Sequence, residues 1–216
     1  VITCITDGYE LLKPVLPQVG ADVEWICVTD GRPLPLADAA EGWTMVCEPS
    51  FAGLHPNRAA KRPKLEPWRY TDAPASVWID GSYRVTSPHF VSEALDLARP
   101  IAQFVHPWRD CCLEEAEFSA TLAKYAGEPL ELQAKTYRER GMPPHWGLWA
   151  SGVIARHHTP EVRYFGEKWR DEIQQWTFQD QVSEPYALRK SFLVPDTLPG
   201  DHITNPWLNY EGSARH

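Results

Sequence analysis

Apolar positions along this chain follow two periods, and their alternation predicts an α/β fold. Val1 to Thr6 (VITCIT) is a β-rich run closed by Asp7-Gly8, and Ala21 to Thr29 (ADVEWICVT) is a second, closed by Asp30-Gly31. Strands that each finish in Asp-Gly before a connection predict parallel pairing, with their loops delivered to one edge. Trp43 to Cys47 reads as a third, shorter strand. Ser76-Val77-Trp78-Ile79-Asp80-Gly81-Ser82 runs three apolar residues into an acid and a glycine, the pattern of a buried strand with a turn at its carboxyl end. Ile101 to His106 is a further strand, and Trp146 to Ala155 is a strand or hairpin. Helical spacing takes over in Pro88 to Ala98, Asp110 to Ala126, Glu131 to Arg140 and Glu167 to Trp176. From Pro195 onward, Pro, Gly, Asp and Asn predict a C-terminal loop laid over the body. No repeat, low-complexity tract or linker divides the chain, so the expectation is one domain over residues 1–216.

Composition narrows the class. With 43% hydrophobic and 23% charged residues the chain is globular, and its twenty prolines predict many irregular connections. The formal net charge of -8 argues against a sequence-independent coat on nucleic acid, while leaving room for a local basic groove. No apolar run reaches the roughly 18 residues that span a bilayer, and no leader-like segment opens the chain. Five cysteines without C-x-x-C spacing predict reduced thiols and a cytoplasmic setting.

In open α/β sheets, ligands gather outside the carboxyl ends of strands. Asp80 stands at such an end and suits a divalent cation held against a phosphate. An Asp-Gly turn that only closes the strand has the same sequence. The run His55 to Lys64 (HPNRAAKRPK) carries four cations and no acid. Lys61 and Lys64 share a face of a helical turn, as a phosphate cradle or as a solvated basic turn. Asp180, within Gln179-Asp180-Gln181, reads as a group that orients or deprotonates an acceptor hydroxyl, or as a cap before VSEPYALRK. In that stretch Pro185 sits awkwardly for a long helix. Of Glu114 and Glu115, one is expected in solvent and the other in an ion pair with Arg109 or Arg156. His106, Arg109, Arg156 and His157 suit a sugar or acceptor pocket; with Cys111 and Cys112 they offer zinc donors, at a spacing that fits no common zinc pattern. A leaving nucleoside diphosphate needs its charge neutralised, so nucleotide-sugar transfer would use a metal and these cations together.

Seven blocks in order along the chain carry a family resemblance. CITDGYELLKP resembles a "YTAIFGGYDxLxxP" start, WICVTD resembles "YICFTD", AKRPKLEPWRY an "R-x-x-K" segment and SVWIDGSYRV a "YSIWIDGK" strand. HPWRDCCLEEA resembles "HxxRxCxYEEA", and LQAKTYRERGMPPHWGLWASGVIARHH resembles "Q-x-x-x-Y-x-x-x-G-x-P-x-x-x-GL-x-x-x-x-I-x-R-x-H". EKWRDEIQQWTFQDQVS resembles "W-x-x-E-I-x-x-x-S-x-RDQLS". Together they resemble the glycosyltransferase-like domain first described in plant mucilage and turgor-related proteins, a family with bacterial and viral relatives. Thr177 stands near the expected serine, Gln179 replaces an arginine, and Ser82 stands where a second acid would complete a D-x-D.

The resemblance implies a GT-A-like fold: a Rossmann-like mixed sheet flanked by helices, with residues 1–106 mainly binding the nucleotide sugar and 107–216 mainly the acceptor. It implies that Thr3, Ile5, Thr6 and Tyr9 line the nucleoside pocket and that Thr29 and Asp30 reach base or ribose. Lys61, Arg62 and Lys64 would meet the diphosphate, beside Asp80 and Gly81. Asp80 would bind Mn²⁺ or Mg²⁺, with Ser82 through water and a late histidine: His202 first, His216 second. Asp180 and Gln181 would be catalytic, and His106, Arg109, Trp146, Gly147, Arg156 and His157 would line the sugar or acceptor pocket. The implied reaction moves a sugar from a UDP- or GDP-sugar to an acceptor hydroxyl, on a saccharide or on a hydroxymethylated pyrimidine in viral DNA within a host cytoplasm. HPNRAAKRPKLEPWRY and RHHTPEVRYFGEKWR interleave cations with aromatics, which suits DNA; the net charge of -8 opposes it. A nucleotide-sugar-binding module without transfer and a metal-dependent hydrolase are the alternatives from other classes.

Overall fold

The computed structural model describes residues 1–32, 34 and 41–212; His216 lies outside them. Seven strands form one mixed sheet: β1 (Ile2–Ile5), β2 (Ile26–Thr29), β3 (Thr44–Cys47), β4 (Ala75–Ile79), β6 (Ile101–Val105), β7 (Trp149–His157) and β8 (Asp196–Thr197), in the order β3-β2-β1-β4-β7-β6-β8. β5 (Tyr83–Val85) and β9 (Leu208–Tyr210) make a separate two-stranded ribbon. β3, β2, β1 and β4 run parallel, β7 is antiparallel to both β4 and β6, and β8 is parallel to β6. β1 and β2 are buried at every position, as parallel strands covered on both faces must be.

The alternation in β4 divides the core. Val77 and Ile79 join one cluster with Phe90, Val91 and Ala94 of α2 (Phe90–Leu97). Trp78 joins the opposite cluster with Leu65 of α1 (Pro56–Leu65), Phe165 and Trp169 of α5 (Pro160–Gln175), and Leu188 of α6 (Asp180–Lys190). The result is a Rossmann-like α/β fold with helices on both faces of the sheet. A third cluster packs α3 (Cys112–Ala120) and α4 (Leu130–Glu139) against Val182 and Tyr186 of α6. All five cysteines are free. Among the described residues, no helix is long and apolar enough to cross a membrane.

Several elements depart from their predicted bounds for identifiable reasons. Only Ile26–Thr29 of the Ala21 to Thr29 run pairs, because β1 offers four residues and Ile26 is opposite Ile2. The helix expected over Asp110 to Ala126 stops at Ala120, where the Thr121 hydroxyl donates to the Phe118 carbonyl at 2.7 Å. A 3-10 turn over Ala123–Tyr125 follows. The helix expected from Glu167 begins seven residues earlier, at Pro160, capped by Thr159 on the Val162 amide. α6 runs through Pro185. The expected C-terminal loop contains β8 and β9, which pair with β6 and β5.

Candidate functional site

Parallel β1, β2 and β4 deliver Thr6, Asp30 and Asp80 to the same edge of the sheet. Successive strands step from β1 to β2 and β3 on one side, whereas β4 lies on the other. A crevice at this reversal is where an open α/β sheet binds its ligand. A cavity of 340 Å³ lies there, lined by Asp80, Gly81, Ser82, Lys61, Lys64, Asp180, Gln181, His106 and His202 among others. It shares Cys4, Tyr9, Glu10, Asn57 and Ala60 with a second chamber of 360 Å³ lined by Ile5, Thr6, Asp7 and His55.

The backbone holds Asp80 in place. Its amide donates to the Gly152 carbonyl on β7 at 2.8 Å, and its Oδ1 accepts from the Trp78 indole at 2.7 Å. Gly152 is required by this approach: a Cβ there would lie 2.9 Å from the Tyr83 ring and 3.2 Å from Asp80 Oδ2. α1 turns Lys61 and Lys64 to the cavity together. Asp180 Oδ2 accepts from Lys64 Nζ at 2.5 Å and from Lys61 Nζ at 2.9 Å. Lys64, 1% exposed, also donates to Ser151 at 3.1 Å and lies 3.5 Å from Asp80. Burial favours the neutral form of Asp180, but Lys61 and Lys64 outweigh it and hold the carboxyl well below the usual range. Burial likewise opposes the charge on Lys64, and Asp180 and Asp80 reverse that, raising its pKa.

Among the described residues, three ammonium groups (Lys61, Lys64, Lys124) face three carboxylates (Glu10, Asp80, Asp180) around this cavity. The histidines add no charge at neutral pH. Burial, Arg109 and His202 push His106 down to about 4, and burial lowers His202 against the opposing pull of Asp201 and Asp80. Among the described residues the cavity thus has no cationic surplus for a diphosphate, and a divalent ion would supply one. Three lining residues offer donors of the right chemistry to hold such an ion: the Asp80 carboxylate, the Ser82 hydroxyl, and His202, whose buried Nδ1 has no hydrogen-bond partner.

The structure does not bring every candidate residue to the cavity. Thr3 is 1% exposed, on the face of β1 opposite Cys4. Thr29 accepts from Gly31, and Asp30, which lines neither chamber, accepts from the Asp7 amide. Arg62 points away from Lys61 and Lys64 and donates to Ser50. Arg109 pairs with Glu115 at 2.5 Å, the expected ion pair, while Glu114 is exposed. Trp146 packs edge-on against Trp149, Gly147 donates to the Asp110 carbonyl, and His157 binds the Leu95 carbonyl. Arg156 is buried under the floor and donates to the Lys64 carbonyl.

Other cavity residues were not anticipated. Glu10 carries a buried Oε2 without a partner; it stands opposite the acid of the family's start pattern, so a signal existed. Lys124 and Tyr125 reach the cavity because the α3 helix breaks before them. Gln179, at the arginine position, donates to Glu115 at 3.1 Å and to Ser119 at 3.0 Å. Arg109 already meets the charge of Glu115, so a neutral amide suffices there to fix the start of α6 and hence Asp180.

Below the floor, Gln103 donates to Glu184 Oε1 at 2.6 Å, whereas Glu184 Oε2 and two Arg156 nitrogens have no partner. Burial pushes the Glu184 carboxyl up to about 8. The native state therefore keeps a proton that the unfolded chain releases near 4.5. The stability from this group is complete below about 4.5 and is lost as pH rises through about 8. Glu184→Gln, which mimics the protonated acid, is expected to melt with the wild type at pH 5 and above it at pH 9. The expected gap at pH 9 is on the order of a few kcal/mol; equal melting temperatures at pH 9 would contradict this.

Parallel strands meeting at a reversal, with an acid-and-lysine cavity at their carboxyl edge, define a Rossmann-like α/β protein with its crevice at the strand ends. The chain belongs to the TOD1/MUCI70 glycosyltransferase-like domain family, whose pattern its residues 43–196 match. It is 29% identical over 154 residues to a probable hexosyltransferase, MUCI70, of Arabidopsis thaliana. That similarity covers 65% of this chain and 26% of the relative, so the chain spans about a quarter of the relative's length.

Proposed function

We propose that this chain is a metal-assisted glycosyltransferase domain that moves a hexosyl group from a nucleotide sugar to an acceptor hydroxyl. The observation that carries the reading is the charge-balanced cavity at the strand edge, with Asp80, Ser82 and His202 on its wall. Asp80, Ser82 and His202 would hold the ion; a bound divalent cation neutralises charge on the departing diphosphate. One imidazole among oxygen donors favours Mn²⁺ over Mg²⁺. Lys61 and Lys124 present ammonium groups to the diphosphate, and Lys64 is spent on Asp180 and Asp80. The chamber of Ile5, Thr6 and Tyr9 accepts the nucleoside. In this reading Asp180 is a positioning group that sets both lysines, and Gln181 lines the sugar side. Residues 1–106 provide most of the donor site, and 107–216 close it and meet the acceptor.

The exposed rings of Tyr9, Trp108 and Tyr210 at the cavity favour a saccharide acceptor. A DNA acceptor draws on a 530 Å³ groove between α1 and α5 lined by Arg58, Arg62, Arg69 and Arg170. Most of that charge is internally bound: Arg58 holds Glu128 and two carbonyls, and Arg69 and Arg170 hold Glu66. Ser82 in place of a second acid favours, as second reading, a module that binds the nucleotide sugar without transfer. Incubation with Mn²⁺ and a panel of UDP- and GDP-sugars separates the readings. Release of nucleoside diphosphate supports transfer, and binding without release supports the module. Mass spectrometry of oligosaccharide and hydroxymethylcytosine-DNA arms assigns the acceptor.

A further inference from the structure

Outside the cavity, a second group of donor atoms gathers at the start of α3. Cys111 is the residue that caps the helix, and its side chain is buried, the residue being 2% exposed. Glu114 lies in the first turn. His145 comes from the loop before β7, which is tied to the same place by the Gly147 amide on the Asp110 carbonyl at 3.0 Å. Cys111 Sγ, a carboxylate oxygen of Glu114 and a ring nitrogen of His145 all lie within 4.8 Å of one another. His145 Nδ1 is 2.6 Å from Asp110 Oδ1, while Nε2 faces Glu114 at 3.6 Å.

We infer that Cys111, Glu114 and His145 form a zinc site, independent of any ion in the cavity. Thiolate, imidazole and carboxylate together select zinc over Mn²⁺ or Mg²⁺. The carboxylate–histidine pairing is the arrangement that orients metal-binding imidazoles: with Nδ1–H donating to Asp110 Oδ1, the Nε2 lone pair is left for the metal. At Zn–ligand lengths of roughly 2.0–2.3 Å, tetrahedral donors stand roughly 3.4–3.8 Å apart. Glu114 and His145 Nε2 already stand at 3.6 Å, and the set, within 4.8 Å, needs to close by at most about an ångström, which turns of the exposed Glu114 and His145 side chains supply. Water completes the fourth position. On binding, the Cys111 S–H bond breaks, its proton passes to solvent, and a Zn–S bond forms. The ion would staple the 141–148 loop to the start of α3, next to the wall where His106 and Trp108 meet the cavity.

Cobalt, a spectroscopic stand-in for zinc, tests this directly. The chelator-treated protein is titrated with Co²⁺ and then Zn²⁺, with Asp80→Ala, Cys111→Ser and His145→Ala alongside. Wild type and Asp80→Ala are expected to gain a thiolate-to-cobalt charge-transfer band at about one equivalent, displaced by Zn²⁺, with a raised melting temperature. His145→Ala, a surface change that leaves the fold intact by circular dichroism, and Cys111→Ser are expected to lose the band. Absence of the band in the wild type, or its persistence at full strength in either ligand variant, overturns the site.

Discussion

Asp80→Ala is expected to lower transfer from the nucleotide sugar by on the order of 10³-fold, the scale of removing a key electrostatic stabiliser. The protein should remain folded. Asp80 stands at the end of β4 and its side chain is 42% exposed. The deletion removes one bond to the Trp78 indole and a 3.5 Å contact with Lys64, while Lys64 keeps its closer partner Asp180. Asp80→Asn retains an acceptor for the indole and loses the charge, so it separates the packing contribution from the chemical one. Both variants should lose Mn²⁺-stimulated turnover while circular dichroism stays native. Full activity in either would remove Asp80 from the metal-binding set.

Asp180→Ala is expected to act first on stability. Deleting the carboxylate leaves the Lys64 ammonium buried without its nearest counter-charge, and breaking such a pair costs about 3–5 kcal/mol. For a chain of this size that is a melting-temperature loss of roughly 10 °C or more. The linkage sign agrees. The folded carboxyl is depressed below the unfolded value, so its stabilisation is present above the ordinary carboxylate range and is lost only as pH falls through the native pKa. In the double variant Asp180→Ala, Lys64→Met, the stranded charge is gone, and much of the lost stability should return while activity does not. A thermal scan with unchanged melting for Asp180→Ala would contradict the ion-pair account and restore a purely chemical role.

The contrast between these two aspartates explains what the chain discloses of its site. Asp80 was legible because three apolar residues running into Asp-Gly describe a strand end with little ambiguity. The shared face of Lys61 and Lys64 follows from helical geometry alone. That Asp180 closes on both lysines is a contact across more than a hundred positions, set by how α6 packs on α5 through the Trp169 indole and Ser183. No local period reports it. Lys124 was hidden for a related reason: the apolar spacing of Leu113, Ala116, Ala120 and Ala123 continues past the point where Thr121 ends the helix. β8 and β9 are two and three residues long and exist only through β6 and β5. α6 tolerates Pro185 in a stretch buried from Val182 to Leu188, where tertiary packing outweighs a weak local preference. Arg156 and His157, read as pocket groups, instead fall on β7, an interior strand of the sheet, where Arg156 is enclosed by the layer beneath the floor.

On the proposed reading, the strand-edge cavity binds a nucleotide sugar and transfers its hexose with help from a divalent ion. The most direct test is release of nucleoside diphosphate from a panel of UDP- and GDP-sugars, with and without Mn²⁺ and with saccharide or hydroxymethylated DNA acceptors. Mn²⁺-stimulated release with at least one donor is expected, coupled to a mass gain of one hexose on an acceptor and absent in Asp80→Ala. No binding and no release from any donor, in the presence of Mn²⁺ and every acceptor, would contradict it.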